Sequence, residues 1–304
     1  MARVFIDGSA GTTGLRIRER LSGRDDIELA VLPEELRKDS SARRDALNAA
    51  DIVFLCLPDA AAVEAVAMVS NPATVVIDTS TAHRTSDGWE YGFPELHGRR
   101  SRIAVAKRIA NPGCHATGFI ALVAPLVESG LIARDSKLSA FSLTGFSGGG
   151  KKMIAEYGET GDGLLSGGRQ YALGQTHKHL PEMQKIAGLD FAPVFSPIVV
   201  PHYSGMEVTV PLHDADVAAI KDCYRSYYGA GLVRYVEDGS ENGFLSSAAL
   251  SGRDDLEIGV FGNDERSILV ARFDNLGKGA SGAAIQNMNL AMGADETKGL
   301  VANG

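Results

Sequence analysis

The first hundred residues alternate between short apolar runs of strand length and longer segments whose apolar positions recur with helical spacing. The runs predict strands at residues 4–7, 27–32, 52–57, 75–78 and 103–106. Helices are predicted from the turn after the first strand to about Leu21, near residues 41–50 and near residues 60–69. Strands that alternate with helices in this way indicate a parallel sheet with right-handed crossovers.

A different pattern begins at Cys114. Residues 114–130 carry apolar side chains at helical spacing and end at Gly130, which predicts one long helix. Beyond it, strand-like alternation predicts strands at residues 137–143, 194–200, 207–212, 258–261 and 267–273, with few helices between them. This second pattern is typical of a mixed α+β domain, so the predicted class is α/β with two differently built parts.

A glycine-rich turn connects the first strand to the first helix. It comprises Gly8, Ser9, Ala10, Gly11, Thr12, Thr13 and Gly14, with two residues between successive glycines. Glycine lets backbone amides approach a pyrophosphate, and the following helix N-terminus adds partial positive charge, so the turn is typical of a dinucleotide site. The alternative is a turn that needs glycine only for tight packing of the strand against the helix.

The segment after the second strand bears on which nicotinamide cofactor binds. An acidic residue there accepts hydrogen bonds from a ribose hydroxyl and repels a phosphate, which favours NAD. This chain has Glu34 and Glu35 but also Arg37, Lys38 and Ser40, which suit a 2′-phosphate. The latter three residues favour NADP, and a solvated charged loop is the alternative interpretation.

Cys114 is the principal candidate for a reactive residue. It follows Asn111, Pro112 and Gly113 and begins the predicted helix. Helix N-terminal amides stabilise an anion and can lower a cysteine pKa from roughly 8.5 to about 3.5–7.5, which favours the nucleophilic thiolate at neutral pH. A buried, inert cysteine is the alternative, and it is the preferred interpretation for Cys56 inside the third predicted strand.

Three further segments carry candidate binding or acid–base groups. Arg84 follows the fourth strand and offers a planar guanidinium to a substrate anion, with a surface salt bridge as the alternative. A glycine-rich loop at residues 144–152, which includes Lys151, suits either an oxyanion or phosphate site or a flexible surface loop. His177 and His179 lack a third ligand nearby, so they suit acid–base catalysis or the protein surface, and no metal site is predicted.

Composition narrows the classes of function. The 304 residues carry a formal net charge of −8, which gives no electrostatic footprint for nucleic acid. The sequence has no run of eighteen apolar residues and no signal pattern at its start, so neither a membrane span nor export is expected. Three scattered cysteines predict free thiols in a reducing compartment, and a cytoplasmic location is therefore expected.

Six motifs occur in an order that resembles one family. They are Gly8-x-x-Gly11-x-x-Gly14, Tyr91-Gly92-Phe93-Pro94-Glu95-Leu96, Asn111-Pro112-Gly113-Cys114, Ser147-Gly148-Gly149-Gly150, His177-Lys178-His179-Leu180-Pro181-Glu182, and the segment from Asp274 to Leu290. From end to end the chain resembles the N-acetyl-γ-glutamyl-phosphate reductases of arginine biosynthesis, in particular their shorter type. The resemblance implies NADPH as cofactor, a small-molecule acyl phosphate as substrate and a homo-oligomer, either a dimer or a tetramer.

The resemblance also implies a domain arrangement. Residues 1–113 with about 282–304 are expected to form an NADP-binding Rossmann domain. Residues 114–281 are expected to form an interleaved mixed α+β domain for catalysis and oligomerisation. This fold class is similar to that of aspartate-semialdehyde and glyceraldehyde-phosphate dehydrogenases.

On this resemblance Cys114 attacks the acyl phosphate and forms a thioester, which a hydride from NADPH reduces. His179, or failing that His177, exchanges the proton, and Asn111 stabilises the oxyanion. The implied substrate contacts are Arg84, Lys151 and Glu182, and the implied cofactor contacts outside the glycine turn are Arg37, Ser40, Ser147, Gly148 and Asn287. Lys151 and Lys178 stand where the longer family members usually have arginine, a departure that concerns the phosphate contacts.

Three other functions are compatible with the motifs. One is the same chemistry on a related substrate such as a β-aspartyl phosphate, since one methylene in a pocket is worth only about 1–3 kcal/mol. The others are a nucleotide-sensing protein without catalysis and a Cys/His hydrolase whose glycine turn serves packing. A sensor is expected to lack the nucleophile or the histidines, and a hydrolase acts without consuming NADPH.

Overall fold

The computed structural model describes residues 1–158, 163–229 and 231–302. The strands are β1 (Ala2–Asp7), β2 (Ile27–Ala30), β3 (Ile52–Leu55), β4 (Val75–Asp78), β5 (Glu90–Tyr91), β6 (Arg108–Ala110), β7 (Ser139–Gly145), β8 (Arg169–Gln170), β9 (Val194–Val200), β10 (Met206–His213), β11 (Val233–Tyr235), β12 (Leu256–Gly262) and β13 (Arg266–Phe273). The helices are α1 (Thr12–Leu21), α2 (Ser40–Ala49), α3 (Asp59–Met68), α4 (Arg99–Val105), α5 (Cys114–Glu128), α6 (Gly150–Gly158), α7 (Leu180–Ala187), α8 (Val217–Tyr227) and α9 (Gly282–Ala291). The chain divides into two compact units, Met1–Pro112 with Ala280–Leu300, and Gly113–Gly279 with the last residues from Val301.

The first unit contains a six-stranded sheet in the order β2-β1-β3-β4-β6-β5. Every strand pair in it is parallel. Apolar clusters cover both faces, one with Ile17 of α1, Ile103 of α4 and Ile285 of α9, the other with Leu47 of α2 and Ala62 of α3. The predicted parallel sheet is therefore confirmed. Because β2 and β3 lie on opposite sides of β1, the chain reverses direction across the sheet at the end of β1, where ligands bind in such folds.

The second unit contains a seven-stranded mixed sheet in the order β11-β12-β13-β10-β7-β9-β8. The central pairs around β10 and β13 are antiparallel, whereas β7 and β9 are parallel. Helix α5 packs against β10, β13, α7 and α8, and it is buried from His115 to Leu126. The position of the first residue of α5, Cys114, is thus fixed by the core of this unit.

The predicted strand at residues 103–106 is wrong, because these residues form the end of α4 and the residue after it. The buried residue of α4 is Ile103, while Val105 is exposed. A run of four apolar residues is too short for its periodicity to distinguish helix from strand. The sequence pattern also did not predict the short strands β5, β6, β8 and β11, or the helices α4, α6 and α8.

In the described part of the chain, none of the helices combines the length and the apolar character that a membrane crossing requires.

Candidate active site

The glycine turn of the first unit has the geometry of an anion site. Gly8 has a φ of +88°, and a Cβ there would lie 2.2 Å from the carbonyl oxygen of Cys56, so glycine is required. The amide of Gly11 donates to the carbonyl oxygen of Gly8 at 3.0 Å, and α1 begins at the next residue. Gly11 has no side chain to cap α1, and the first amides of this helix favour a phosphate group.

A cavity of about 640 Å³ in the first unit joins this turn to the segment after β2. Its lining includes Gly8, Ser9 and Ala10 of the turn together with Arg37, Lys38 and Arg43. Ser40, the first residue of α2, does not belong to this lining. Arg43, which was not among the residues predicted from the sequence, lies 2.8 Å from the buried carboxylate of Asp7. Its position on α2, just beyond the predicted phosphate residues, was the available signal.

Arg84 is fixed by backbone groups of the first unit. Its side chain is buried, with Nε donating to the carbonyl oxygen of Asn111 at 2.9 Å and Nη2 donating to that of Thr79 at 3.0 Å. The surface position that the alternative interpretation assumed is wrong, because only 8% of Arg84 is exposed. The guanidinium therefore has a defined orientation beyond the end of β4.

Asn111 and Asn287 form a buried amide pair in the same unit. The Nδ2 of Asn287 donates to Asn111 Oδ1 at 3.1 Å and to the carbonyl oxygen of Gly92 at 2.9 Å. Asn111 Nδ2 in turn donates to the carbonyl oxygen of Ala280 at 3.0 Å. Among the described residues, Asn287 Oδ1 is buried and has no hydrogen-bond partner. A buried acceptor left unsatisfied costs about 1–3 kcal/mol, so this atom is suited to a ligand donor.

Cys114 is the first residue of α5 in the second unit, as predicted, and it is half-buried. Gly113 precedes it without a side chain to cap the helix, and the amide of Thr117 closes the first turn on the carbonyl oxygen of Gly113 at 2.8 Å. The amide of Gly113 donates to Glu182 Oε2 at 3.2 Å. The thiol thus lies in the field of a helix N-terminus, which favours its ionised form.

Glu182 connects this helix terminus to His179. Only 2% of Glu182 and 4% of His179 are exposed, and Glu182 Oε1 lies 4.0 Å from His179 Nε2. His179 immediately precedes α7, and Glu182 lies three residues later in the first turn of that helix. The carboxylate therefore contacts the backbone beside the thiol with one oxygen and faces the imidazole with the other. Such a carboxylate stabilises the protonated form of a histidine.

His177 is held differently. Its Nδ1 accepts a hydrogen bond from the backbone amide of His179 at 3.1 Å. The two rings are nearly perpendicular, with centroids 4.7 Å apart. Because Nδ1 already accepts an N–H group, the neutral ring carries its proton on Nε2, and protonation of Nδ1 would break this contact.

The structure adds His115 and Tyr171 to the residues around Cys114. His115 Nδ1 lies 2.7 Å from Ser142 Oγ, and His115 Nε2 lies 2.7 Å from the Tyr171 hydroxyl. Burial lowers the pKa of His115 well below its usual value, so its ring is neutral. Burial raises the pKa of Tyr171, and the charge of Cys114 raises it further. The available sequence signal was the position of His115 directly after the nucleophile.

Ser147 and Gly148 lie in the short helical turn that follows β7, and Lys151 lies at the start of the next helix, α6. Ser147 is 1% exposed, and its Oγ accepts a hydrogen bond from Asn275 Nδ2 at 3.0 Å. The alternative of a flexible surface loop is therefore wrong at Ser147, whose burial fixes this part of the backbone. Lys151, by contrast, is exposed on α6.

Gly279 is a further residue near Cys114 that the sequence analysis did not assign to the site. A Cβ on Gly279 would lie 2.9 Å from the Cβ of Cys114 and 3.2 Å from Phe273 Cε2. Such contacts are too short for a side chain, so glycine here allows the backbone to pass close to the nucleophile.

No group of His, Cys, Asp and Glu arranged to hold a metal ion occurs within residues 1–158, 163–229 and 231–302.

Two family models match the chain, one within each of its two compact units. The model of the semialdehyde dehydrogenase NAD binding domain matches residues 3–104, and that of the semialdehyde dehydrogenase dimerisation domain matches residues 114–275. The chain belongs to the semialdehyde dehydrogenase family. Membership of this family confirms the predicted fold class and indicates a nicotinamide dinucleotide cofactor.

Similar proteins within the semialdehyde dehydrogenase family indicate which members this chain resembles. A protein of Burkholderia lata named N-acetyl-gamma-glutamyl-phosphate reductase is 46% identical over 96% of this chain and 96% of its own length. N-acetyl-gamma-glutamyl-phosphate reductase 2 of Pseudomonas putida is 44% identical over 97% of this chain and 98% of its own length. The predicted resemblance to these reductases is confirmed.

Solved structures of the semialdehyde dehydrogenase family share the fold. Aspartate semialdehyde dehydrogenase II from Vibrio cholerae aligns with a TM-score of 0.74 and 17% identity, covering 96% of this chain and 98% of that one. A probable aspartate-semialdehyde dehydrogenase from Pseudomonas aeruginosa aligns with a TM-score of 0.71 and 16% identity, with the same two coverages. At this identity the likeness concerns the fold alone.

Proposed function

We propose that this protein reduces N-acetyl-γ-glutamyl phosphate to N-acetylglutamate semialdehyde and phosphate, with NADPH as reductant, in arginine biosynthesis. The observation that carries the reaction type is the arrangement around Cys114. The thiol begins α5, and Glu182 binds the amide just before it and faces His179. The substrate follows from the names of relatives that are 44–46% identical over nearly the whole chain.

The first unit offers the groups that a nicotinamide dinucleotide needs. The turn at Gly8 and the N-terminus of α1 suit the pyrophosphate. The buried Asn287 Oδ1 suits the amide group of the nicotinamide, which donates hydrogen bonds. Arg37, Lys38 and Arg43 line the cavity beside the turn together with Glu34 and Glu35, and we assign the three cations to the 2′-phosphate of NADP. We retain Ser40, Ser147 and Gly148 as proposed cofactor contacts.

The first chemical step is nucleophilic attack by Cys114. The thiolate forms a bond to the acyl carbon, the bond from that carbon to the phosphate oxygen breaks, and phosphate leaves with the electron pair. The N-terminal dipole of α5 stabilises the thiolate before this attack. The product of this step is a thioester on Cys114.

The second step reduces the thioester. When bound, the reduced nicotinamide supplies the hydride for the thioester carbonyl carbon. The imidazolium of His179 gives a proton to the oxygen, which yields a thiohemiacetal. His179 then takes the proton back from the hydroxyl group, the carbon–sulfur bond breaks, the aldehyde forms and Cys114 returns to a thiolate.

The contacts of the two histidines favour His179 as the acid–base group. Glu182 lies opposite Nε2 of His179 and stabilises its imidazolium, and we assign proton exchange to Nδ1. His177 accepts the amide of His179 at Nδ1, so protonating its ring at that nitrogen costs this hydrogen bond. We therefore assign His177 to holding the backbone of His179. Glu182, predicted as a substrate contact, is better assigned to orienting His179.

Other roles complete the proposal. Arg84, Lys151 and Asn111 stay proposed contacts of the substrate and its oxyanion. The first unit is proposed to bind the cofactor, and the second unit to carry catalysis and the contacts of a homo-oligomer. A dimerisation domain is the description of the family model that matches residues 114–275, which supports the assembly. The location is proposed to be the cytoplasm.

The test is an absorbance assay of the purified protein in the reverse direction. N-acetylglutamate semialdehyde and aspartate semialdehyde are offered separately, each with phosphate and with either NADP or NAD. We expect NADPH to form with the acetylated substrate only. Turnover with aspartate semialdehyde alone would replace the substrate and keep the mechanism. Silence with both despite measurable NADPH binding would favour a nucleotide sensor, and substrate hydrolysis without a cofactor signal would favour a hydrolase.

A further inference from the structure

Two hydrogen bonds, one before and one after Cys114 in the sequence, connect the start of α5 to the segment that carries His177 and His179. Before the thiol, the Gly113 amide binds Glu182 at 3.2 Å. After it, His115 binds the Tyr171 hydroxyl at 2.7 Å. Residues 171–182 begin and end with these two partners, and His177 and His179 lie between them. The segment is thus fixed to α5 at both of its ends.

The contact through His115 is anchored in the sheet of the second unit. Since the ring of His115 is neutral, one of its nitrogens donates and the other accepts. Ser142 of β7 binds Nδ1 at 2.7 Å and has no exposed surface. The backbone of Tyr171 also donates to the carbonyl oxygen of Pro197 in β9 at 3.1 Å. Tyr171 is therefore held by β9 and by His115, the residue next to the nucleophile, which β7 holds in turn.

The rings of the cluster pack closely around this contact. The centroid of His115 lies 5.3 Å from that of His177 and 5.6 Å from that of His179. Tyr171 lies 5.6 Å from His177, whose Nδ1 accepts the amide of His179. A displacement of Tyr171 therefore reaches His179 through His177.

We propose that Tyr171 is a positioning residue for proton transfer. Through its hydrogen bond to His115, it keeps the ring of His179 at the position relative to Cys114 that proton transfer requires. This inference rests on the proposed roles of Cys114 and His179. It assigns to Tyr171 an effect on the chemical step and none on the affinity for the acyl phosphate.

The test compares Tyr171→Phe in the wild-type and in a His179→Asn background. Misplacement of a catalytic group by about 1 Å costs on the order of 100-fold in rate, so we expect kcat to fall roughly 10- to 100-fold in the wild-type background. KM is expected to change less than about threefold. In the His179→Asn background the same substitution should change kcat less than about twofold, because the group that it positions is gone.

Tyr228→Phe is the matched control. Like the hydroxyl of the half-buried Tyr171, the hydroxyl of the buried Tyr228 binds α5: it donates to the carbonyl oxygen of Ala121 at 2.8 Å. We expect Tyr228→Phe to lower the melting temperature about as much as Tyr171→Phe and to leave kcat within about twofold. An equal loss of kcat in both backgrounds, or an equal loss for Tyr228→Phe, would overturn the proposal.

A second measurement needs no substrate and separates this inference from the proposed function. The titration of His179 is followed by NMR before and after alkylation of Cys114. Removing the thiolate charge should shift this titration in the wild type and in Tyr228→Phe, and the shift should be smaller in Tyr171→Phe. An unchanged shift in Tyr171→Phe contradicts the inference even if the wild type turns over neither semialdehyde.

Discussion

The cavity beside the glycine turn of the first unit and the cysteine cluster of the second are built from different parts of the polypeptide. The cavity is lined by the consecutive turn residues Gly8, Ser9 and Ala10 and by charged side chains of the segment after β2 and of α2. The cluster consists of side chains from α5, α7 and the segment after β8, which are separated by up to 68 positions from Cys114 to Glu182. One site is local in sequence and the other is assembled by the sheet of its unit.

The difference determines how each site responds to mutation. A site made of backbone amides depends on φ and ψ angles and on the absence of side chains, so an added Cβ damages it. A site made of side chains depends on particular functional groups, and their conservative replacement leaves the fold intact but removes the chemistry.

The largest effect is expected for Cys114→Ser. A serine hydroxyl does not ionise near neutral pH, so turnover should fall by at least about 10⁴-fold, while NADPH binding to the first unit should stay within about twofold. Steady-state kinetics and NADPH fluorescence titration measure the two quantities. Cys223→Ser is the control, because this free cysteine contacts Pro125 and Ser129 and should keep full activity. Substantial reductase activity in Cys114→Ser would exclude the covalent mechanism.

The second-largest effect on kcat is expected for a substitution of His179, and it distinguishes the role of His179 from that of His177. His179→Asn should lower kcat by about 10²–10⁴-fold, the usual contribution of a positioned acid–base group, and should flatten the pH dependence of kcat. His177→Asn should lower kcat less than about tenfold, because an asparagine oxygen can still accept the amide of His179. Both are measured as pH profiles with the acyl phosphate. A larger loss and a flattened profile for His177→Asn would reverse the assignment.

The sequence predicted the local structure around Gly8 better than the contacts within the cysteine cluster, and the reason is physical. The turn at Gly8, the strand before it and the helix after it are adjacent in sequence, so periodicity and glycine spacing were sufficient. Cys114 at the start of α5 was also predicted, because a helix start is a local feature. The long strands β9 and β10 followed from their alternation of buried residues with residues that are less buried.

What the sequence did not predict depends on contacts between distant segments. The pairing of His115 with Tyr171 joins residues 56 positions apart and has no motif of its own. The choice between His177 and His179 required the amide contact at one ring and the carboxylate at the other. At residues 103–106 a local apolar run predicted a strand, but the structure has the end of α4 there. The packing of α4 decides which of these residues are buried, and a run of four residues does not contain that information.

The smallest effects, on stability and on NADPH affinity, are expected for Gly8→Ala and Gly11→Ala. Comparing these two variants tests the backbone site directly. At Gly8 the new Cβ meets the Cys56 carbonyl oxygen at a φ of +88°, so we expect about 1–3 kcal/mol of destabilisation in urea unfolding. At Gly11 φ is −74° and the atom nearest to a new Cβ, the carbonyl oxygen of Gly8, is 3.5 Å away, so the stability of Gly11→Ala should be unchanged.

The NADPH affinity of Gly11→Ala should nevertheless fall about tenfold, or about 1.4 kcal/mol, because the new methyl group stands where the pyrophosphate approaches. In both variants the alkylation rate of Cys114 should match the wild type. Unchanged NADPH binding in Gly11→Ala would mean that the glycines serve packing, and the contrast between a backbone site and a side-chain site would fail.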